Sequence, residues 1–294
     1  MKRFFPLIFI SLLIGGMVWA QETFSPVRKA LQELVKRVEI GDAKAMYDLA
    51  RLHDSGYDSI SRDTLRSTVL YLASAEKGYA PAMNFIGFRY YKGEGVIQNT
   101  DSAIYWIRNA AEKGDITAAA NLGYLLTEST LIPHDFEEAE KWLLIASEEG
   151  VTEAQIKLAE MMKDKWAALP SDSALKLGKS YYLGKAPVIG VELLEVASHY
   201  NDPKALALLG DAYAKGIGVP YNHQKSIDFF YKAAIGGDPS AMFVIAEMLD
   251  IFPDALSSDT ILRENNNAGY WYEKAASSGV TDSDKAYELL YSLP

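Results

Sequence analysis

Few residues in this 294-residue chain are of types and at spacings that make or break bonds. His-Glu-x-x-His, Gly-x-Ser-x-Gly and a P-loop are all missing, and there is no cysteine to serve as nucleophile or metal thiolate. Four histidines remain as potential ligands or bases. His134 and His223 fall in loops ahead of predicted helices, His199 ends one, and none has a second ligand at metal-binding spacing. His53 occupies a position that Tyr90 and Tyr213 fill elsewhere in the chain, which reads as packing in preference to a proton or metal role. Asp282-Ser283-Asp284 lacks the glycine and bidentate glutamate of a calcium loop, so helix capping is its expected use. Gly93-x-Gly95 has Gln98 where a dinucleotide fingerprint needs its third glycine, and it follows a helix where a strand is required. No catalytic residue, cofactor or metal is therefore expected.

The elements behind these residues explain them better than chemistry does. Residue classes recur about every 36 positions, the mark of stacked supersecondary units. With Gly41, Gly78, Gly114, Gly150, Asn201 and Gly237 as unit starts, the fourth residue on is always alanine, from Ala45 to Ala241. The eighth is a branched aliphatic, such as Leu49, Ile86 or Leu209, and the ninth is Ala or Gly. Offsets of four, eight, nine and twelve share one face of a helix, helix A, with small residues where a neighbour must come close. Counting back from each following start gives helix B, with small residues at minus four and minus three and a large apolar residue at minus eight, as in Trp106, Trp142, Phe229 and Trp271. The three tryptophans read as core, not as carbohydrate platforms. Turns such as Gly93-Glu94-Gly95-Val96 join the two helices.

The fold class expected is all-α: a superhelical α/α solenoid of about six to seven helix-turn-helix units over residues 41–279, starting near 41, 78, 114, 150, 169, 201 and 237. Gly150 and Asn201 are 51 residues apart, which reads as one unit that has lost most of its second helix and a shortened unit from Leu169, with Pro170 and Pro187 marking breaks. Residues 21–40 hold an N-terminal capping helix and 280–294 a C-terminal one, and Asp250 to Asn267 form a polar insertion.

Residues 1–20 differ in kind. Lys2 and Arg3 precede an apolar stretch, and Val18-Trp19-Ala20 has the small-residue ending that signal peptidase accepts, so export is expected, to the periplasm or outside the cell. An uncleaved membrane anchor is the alternative. Loss of the leader, with Lys2 and Arg3, takes the formal charge from −10 to −12, which disfavours nucleic acid and anionic lipid as partners. Without cysteine, neither disulfides nor a lipidated cysteine can hold the protein.

The pattern resembles the Sel-one-like repeat family, relatives of tetratricopeptide repeats. The resemblance is clearest in Ala82, Ile86-Gly87, Tyr90, Gly93-Glu94-Gly95-Val96, Asp101, Ala103, Trp106 and Ala110-Ala111, and again in Ala205, Leu209-Gly210, Tyr213 and Gly216-Ile217-Gly218-Val219. It implies a right-handed superhelix whose A helices line a concave surface, and a role as adaptor or scaffold for protein complexes. Some secreted bacterial members carry one disulfide per repeat, a property this cysteine-free chain does not share.

If the A helices line a groove, residues that vary at one exposed offset carry its specificity. Offset ten runs Arg51, Phe88, Tyr124, Glu160, Asp211, Glu247, and Tyr91 extends the aromatic section. This predicts a protein or peptide partner with apolar anchors near Phe88 and Tyr124 and basic residues opposite the three carboxylates. Ordinary solvated helix positions would give the same pattern. A different class of function, an envelope enzyme such as a cell-wall hydrolase, needs a catalytic acid in a closed cleft, and Glu160 has no context that marks it as one.

Overall fold

The computed structural model describes residues 26–57, 60–251 and 268–292. The expected leader and nearly all of the expected polar insertion lie outside them. Fifteen helices and no strand occur among the described residues, so the fold is an all-α helical repeat solenoid. In chain order they are α1 (Pro26–Glu39), α2 (Ala43–Ser55), α3 (Thr64–Glu76), α4 (Ala80–Lys92), α5 (Thr100–Glu112), α6 (Ile116–Glu128), α7 (Phe136–Glu148), α8 (Thr152–Ala167), α9 (Ser171–Leu183), α10 (Pro187–Ser198), α11 (Pro203–Lys215), α12 (His223–Ile235), α13 (Pro239–Ile251), α14 (Ala268–Ser277) and α15 (Ser283–Tyr291). They group into two compact units, the first ending at Ile145 within α7 and the second beginning at Ala146.

The residues that mark the unit starts do so for a backbone reason. Gly41, Gly78, Gly114, Gly150 and Gly237 all have φ between 86° and 99°, and Asn201 joins them at 57° as the one non-glycine with positive φ among the described residues. Each lets the chain leave helix B in a left-handed turn, its N–H returning to the last helical carbonyls, as from Gly78 to Ala75 (2.8 Å). The residue after the turn is often an aspartate that caps the next helix A. Asp42, Asp115, Asp202 and Asp238 accept from the backbone N–H groups of Ala45, Ala118, Ala205 and Ala241 at 2.8–3.0 Å.

In the hairpins that carry a glycine at the ninth offset, that glycine sets the spacing of the helices. A Cβ at Gly87 would stand 2.4 Å from Ile107 Cγ1 and 3.1 Å from the Ala103 carbonyl, and one at Gly210 would meet the Phe230 ring at 2.8 Å. The A and B helices thus touch backbone to side chain. In the first unit α4 also meets α6 directly, and Asn121 donates to Asn84 (3.2 Å) across that seam. The core of the second unit runs from Ala174 and Tyr182 through Leu206, Leu208 and Leu209 to Phe230, Ile245, Trp271 and Leu290.

The irregular stretch has a specific arrangement. α8 has no B helix of its own; α10 packs against both α8 and α9. Gln155 of α8, 1% exposed, donates to the carbonyls of Ser147 and Lys185 and accepts from the Val188 N–H, which ties α8 to the turn that opens α10. Pro170 and Pro187 stand at the starts of α9 and α10, where a missing N–H costs nothing. At the other end α15 packs on α13 and α11 and turns back over the A helices. Trp142 and Trp271 are buried as expected, whereas Trp106 is only half-buried.

Candidate functional site

In the first unit a half-open cleft of about 480 Å³ lies among α1, α2, α3 and α4. Leu34 comes from α1, Asp48, Arg51, Leu52, Asp54 and Ser55 from α2, Tyr71 from α3 and Phe85 from α4. Helix periodicity places Asp48, Arg51, Leu52 and Ser55 on one stripe of α2. The floor is aromatic: Phe85 stacks on Tyr71 (5.0 Å, 18°), and Tyr47 meets Tyr71, Tyr79 and Phe85 edge to face.

Beside this floor sits a charge network, which reaches the cleft through Asp54. Arg89, only 7% exposed, pairs with Asp54, donates to Ser67 Oγ (3.2 Å) and lies 5.9 Å from the Tyr71 ring centre. Burial pushes the Asp54 carboxyl up, but hydrogen bonds from Arg89 and Ser67 with the guanidinium charge outweigh it, so its pKa is lowered. The fully buried Tyr71 hydroxyl faces Asp54 without closing a hydrogen bond of good geometry, and burial beside that carboxylate raises its pKa strongly. The arrangement is an aromatic-floored recess with one exposed cation, Arg51, among its lining residues.

The offset-ten residues are treated differently from one another. Arg51 is exposed; Phe88, Tyr91 and Tyr124 are half-buried, and the Tyr91 hydroxyl is 3.1 Å from Ser129 Oγ, just past the end of α6. In the second unit Glu160 is exposed, 3.7 Å from Lys157, and Glu247 is half-buried, its pKa raised by that burial. Asp211 corrects the expectation of an open carboxylate. It is 2% exposed, its Oδ2 accepts from the hydroxyls of Tyr182 and Tyr291 (both 2.7 Å), and Lys215 is 2.8 Å from Oδ1. One of the two tyrosines that hold it, Tyr291, comes from 80 positions away, a distance over which helical periodicity carries no signal.

His53 is buried, with Nδ1 3.4 Å from the Ser61 carbonyl, consistent with packing. No group of three or more His, Asp or Glu side chains is placed to hold a metal among the described residues. Nor is any described helix long and apolar enough to cross a membrane. Sequence reasoning missed Phe85, Tyr47 and Tyr71, which form the cleft floor from offsets six and seven of helix A and from helix B. Their aromatic type was the available signal. It also missed a smaller recess of about 220 Å³ in the second unit, where Glu195, Tyr213, Lys225 and Phe229 converge. There burial and the neighbouring Glu192 raise the Glu195 pKa against the opposing pull of Lys225 and Tyr213.

The chain is similar in sequence to several known proteins. The Sel1-repeat-containing protein YjcO of Escherichia coli is 27% identical over 56% of this chain and 65% of its own length. The chitin synthase regulator SKT5 of Saccharomyces cerevisiae is 30% identical over 44% of this chain and 19% of its own. A Neisseria meningitidis protein, NMB1327, is 27% identical over 59% of this chain and 33% of its own. The chain therefore spans a third or less of the length of NMB1327 and SKT5. Among solved structures, the Sel1 repeat protein of Oxalobacter formigenes aligns over 93% of this chain and all of its own with 22% identity and a TM-score of 0.46. The protective antigen c5321 of uropathogenic Escherichia coli aligns over 88% and 58% with 25% identity and a TM-score of 0.42. The Sel1 repeat itself matches residues 43–79, 80–115, 116–151, 203–238 and 258–280, more than half of the chain, and passes over the irregular stretch of α8 to α10. The chain belongs to the Sel1 repeat family.

Proposed function

We propose that the chain is an exported, non-catalytic scaffold that binds a segment of a protein partner on the A helices, with the cleft of the first unit as its anchor site. One observation carries this reading: an aromatic floor in which the exposed Phe85 stacks on the buried Tyr71, left open beside the exposed Arg51. A recess with a few aromatics and one exposed cation in its lining suits an apolar side chain followed by an acidic or main-chain group. Phe88, Tyr91 and Tyr124 extend the aromatic surface along α4 and α6 of the same unit. In the second unit Glu160 and Glu247 are the carboxylates left to meet basic residues. SKT5, similar over 44% of this chain, is named for regulating an enzyme. Glu160 beside Lys157 on an open helix surface has none of the enclosure a hydrolytic acid requires.

The test is a crosslinked pull-down from a native envelope extract with residues 21–294 as bait, read by mass spectrometry. Arg51→Glu combined with Phe85→Ala is expected to lower recovery of the partner at least tenfold while leaving the helical signal and melting temperature close to wild type. Glu160→Lys with Glu247→Lys is expected to weaken it further. Equal recovery by wild type and both variants would sink the reading.

A further inference from the structure

The second unit carries a surface of its own, distinct from the first unit's cleft, and its argument stands without that cleft. Helix α15 makes its contacts on α11 and α13, both A helices, and the residue that follows it reaches α9, a third. Lys179 of α9, 1% exposed, donates to the Ser292 carbonyl, and Lys204 Nζ is 3.4 Å from Ser292 Oγ. Tyr287 and Tyr291, four residues apart on α15, lie with ring centres 6.3 Å from each other, and Lys215 Nζ stands 5.3 and 5.1 Å from them. The Tyr291 hydroxyl donates to Asp211. Ala286 and Leu290 fill the apolar part of the seat.

A helix that only capped the stack would cover the last hairpin. This one rests chiefly on α13 of that hairpin but reaches past it to α11 and α9, and it buries Lys179 and Asp211 under polar contacts that water or another ligand can replace. α15 has nine residues, too few to hold a helix in water once it leaves. It is joined to α14 through Gly279, at φ 87°. The seat therefore reads a short helix by one tyrosine hydroxyl on Asp211, by a second, partly exposed ring one turn away beside Lys215, and by a main-chain carbonyl at its end. A longer partner helix with those features would lose less conformational entropy on docking than α15 does.

We propose that the face formed by α9, α11 and α13 is a docking surface for a partner helix bearing paired tyrosines at i and i+4, and that α15 occupies it in cis as a displaceable stand-in. Two measurements on the full chain test this. In wild-type protein, native-state hydrogen exchange is expected to show amides of α15 opening at least a hundredfold more readily than those of α11 and α13; exchange of α15 only with the rest of the unit makes it a permanent cap and overturns the proposal. A fluorescein-labelled peptide of residues 280–292 is then titrated by anisotropy. Tyr287→Ala with Tyr291→Ala in the full chain is expected to bind it at least tenfold more tightly than wild type, and adding Lys179→Ala with Asp211→Asn is expected to remove that gain. Equal binding by all three proteins overturns the proposal, as does loss of the helical signal in the double-tyrosine variant.

Discussion

Asn201 takes at φ 57° the left-handed turn that glycine takes at the other unit starts. An L side chain with a Cβ costs about 1–2 kcal/mol there, and asparagine tolerates it best. Asn201→Ala is therefore expected to lower unfolding stability by about 1 kcal/mol, and Asn201→Gly to raise it by about half that. Urea melts of the three proteins check the order, and alanine matching glycine would refute it. Gly87 poses the opposite problem, since its φ is ordinary and its space is not. A methyl there meets Ile107 Cγ1 and the Ala103 carbonyl, so Gly87→Ala should cost about 1–3 kcal/mol. Trimming the neighbour, Ile107→Val, should recover part of that loss in a double-mutant cycle, because the clash is with that side chain first.

Arg89 of α4 ties together three helices, through Asp54 of α2, Ser67 of α3 and the ring of Tyr71. Replacing it with methionine keeps the apolar stem and strands Asp54, which is partly exposed, so the expected loss is about 2 kcal/mol, below the range for a fully buried pair. Arg89→Met should also change the pH dependence. The Asp54 pKa is lowered in the fold, so its contribution is present above the unfolded carboxylate value and is lost as pH falls through the folded one. Acidification should narrow the gap between wild type and variant, and a gap constant from pH 7 to about pH 3 would show that Asp54 is not the cause. Such a network was not legible beforehand. The repeat, the A and B helices, their small-residue seams and the break between Gly150 and Asn201 were, because each follows from local periodicity that repeats several times. The Arg89 and Asp54 pair joins residues 35 positions apart that occur in one unit only, so no recurrence marks it. The same limit hid the cleft floor and the occupation of Asp211 by Tyr291. Offset ten marks a helix position that varies from unit to unit, but whether a later segment covers it is decided by tertiary packing.

At the scale of the whole chain the decisive quantities are its lack of cysteine and its formal charge of −10. No covalent tie offsets repulsion among the 39 acidic residues, and cohesion rests on neighbouring hairpins burying apolar surface between them. The described ion pairs work in the other direction but weakly, since most are half-exposed, as Lys185 with Glu149 or Lys44 with Asp48, and solvent screens such pairs until little attraction is left. Added salt shortens the reach of both effects, yet it acts most on the long-range excess of like charge, because close pairs lie well inside a Debye length of about 10 Å at 0.1 M salt. Raising sodium chloride from about 20 to about 500 mM at pH 7.5 should therefore raise the melting temperature, by a few degrees for a net relief of about 1–2 kcal/mol. Sodium chloride is the right salt because sulfate would also strengthen apolar burial and confound the reading. A melting temperature that falls with salt would mean that the exposed pairs, such as Lys44 with Asp48 and Lys185 with Glu149, outweigh the repulsion. Repeating the titration on a Lys44→Gln, Lys185→Gln variant would then identify those pairs by the loss of the effect.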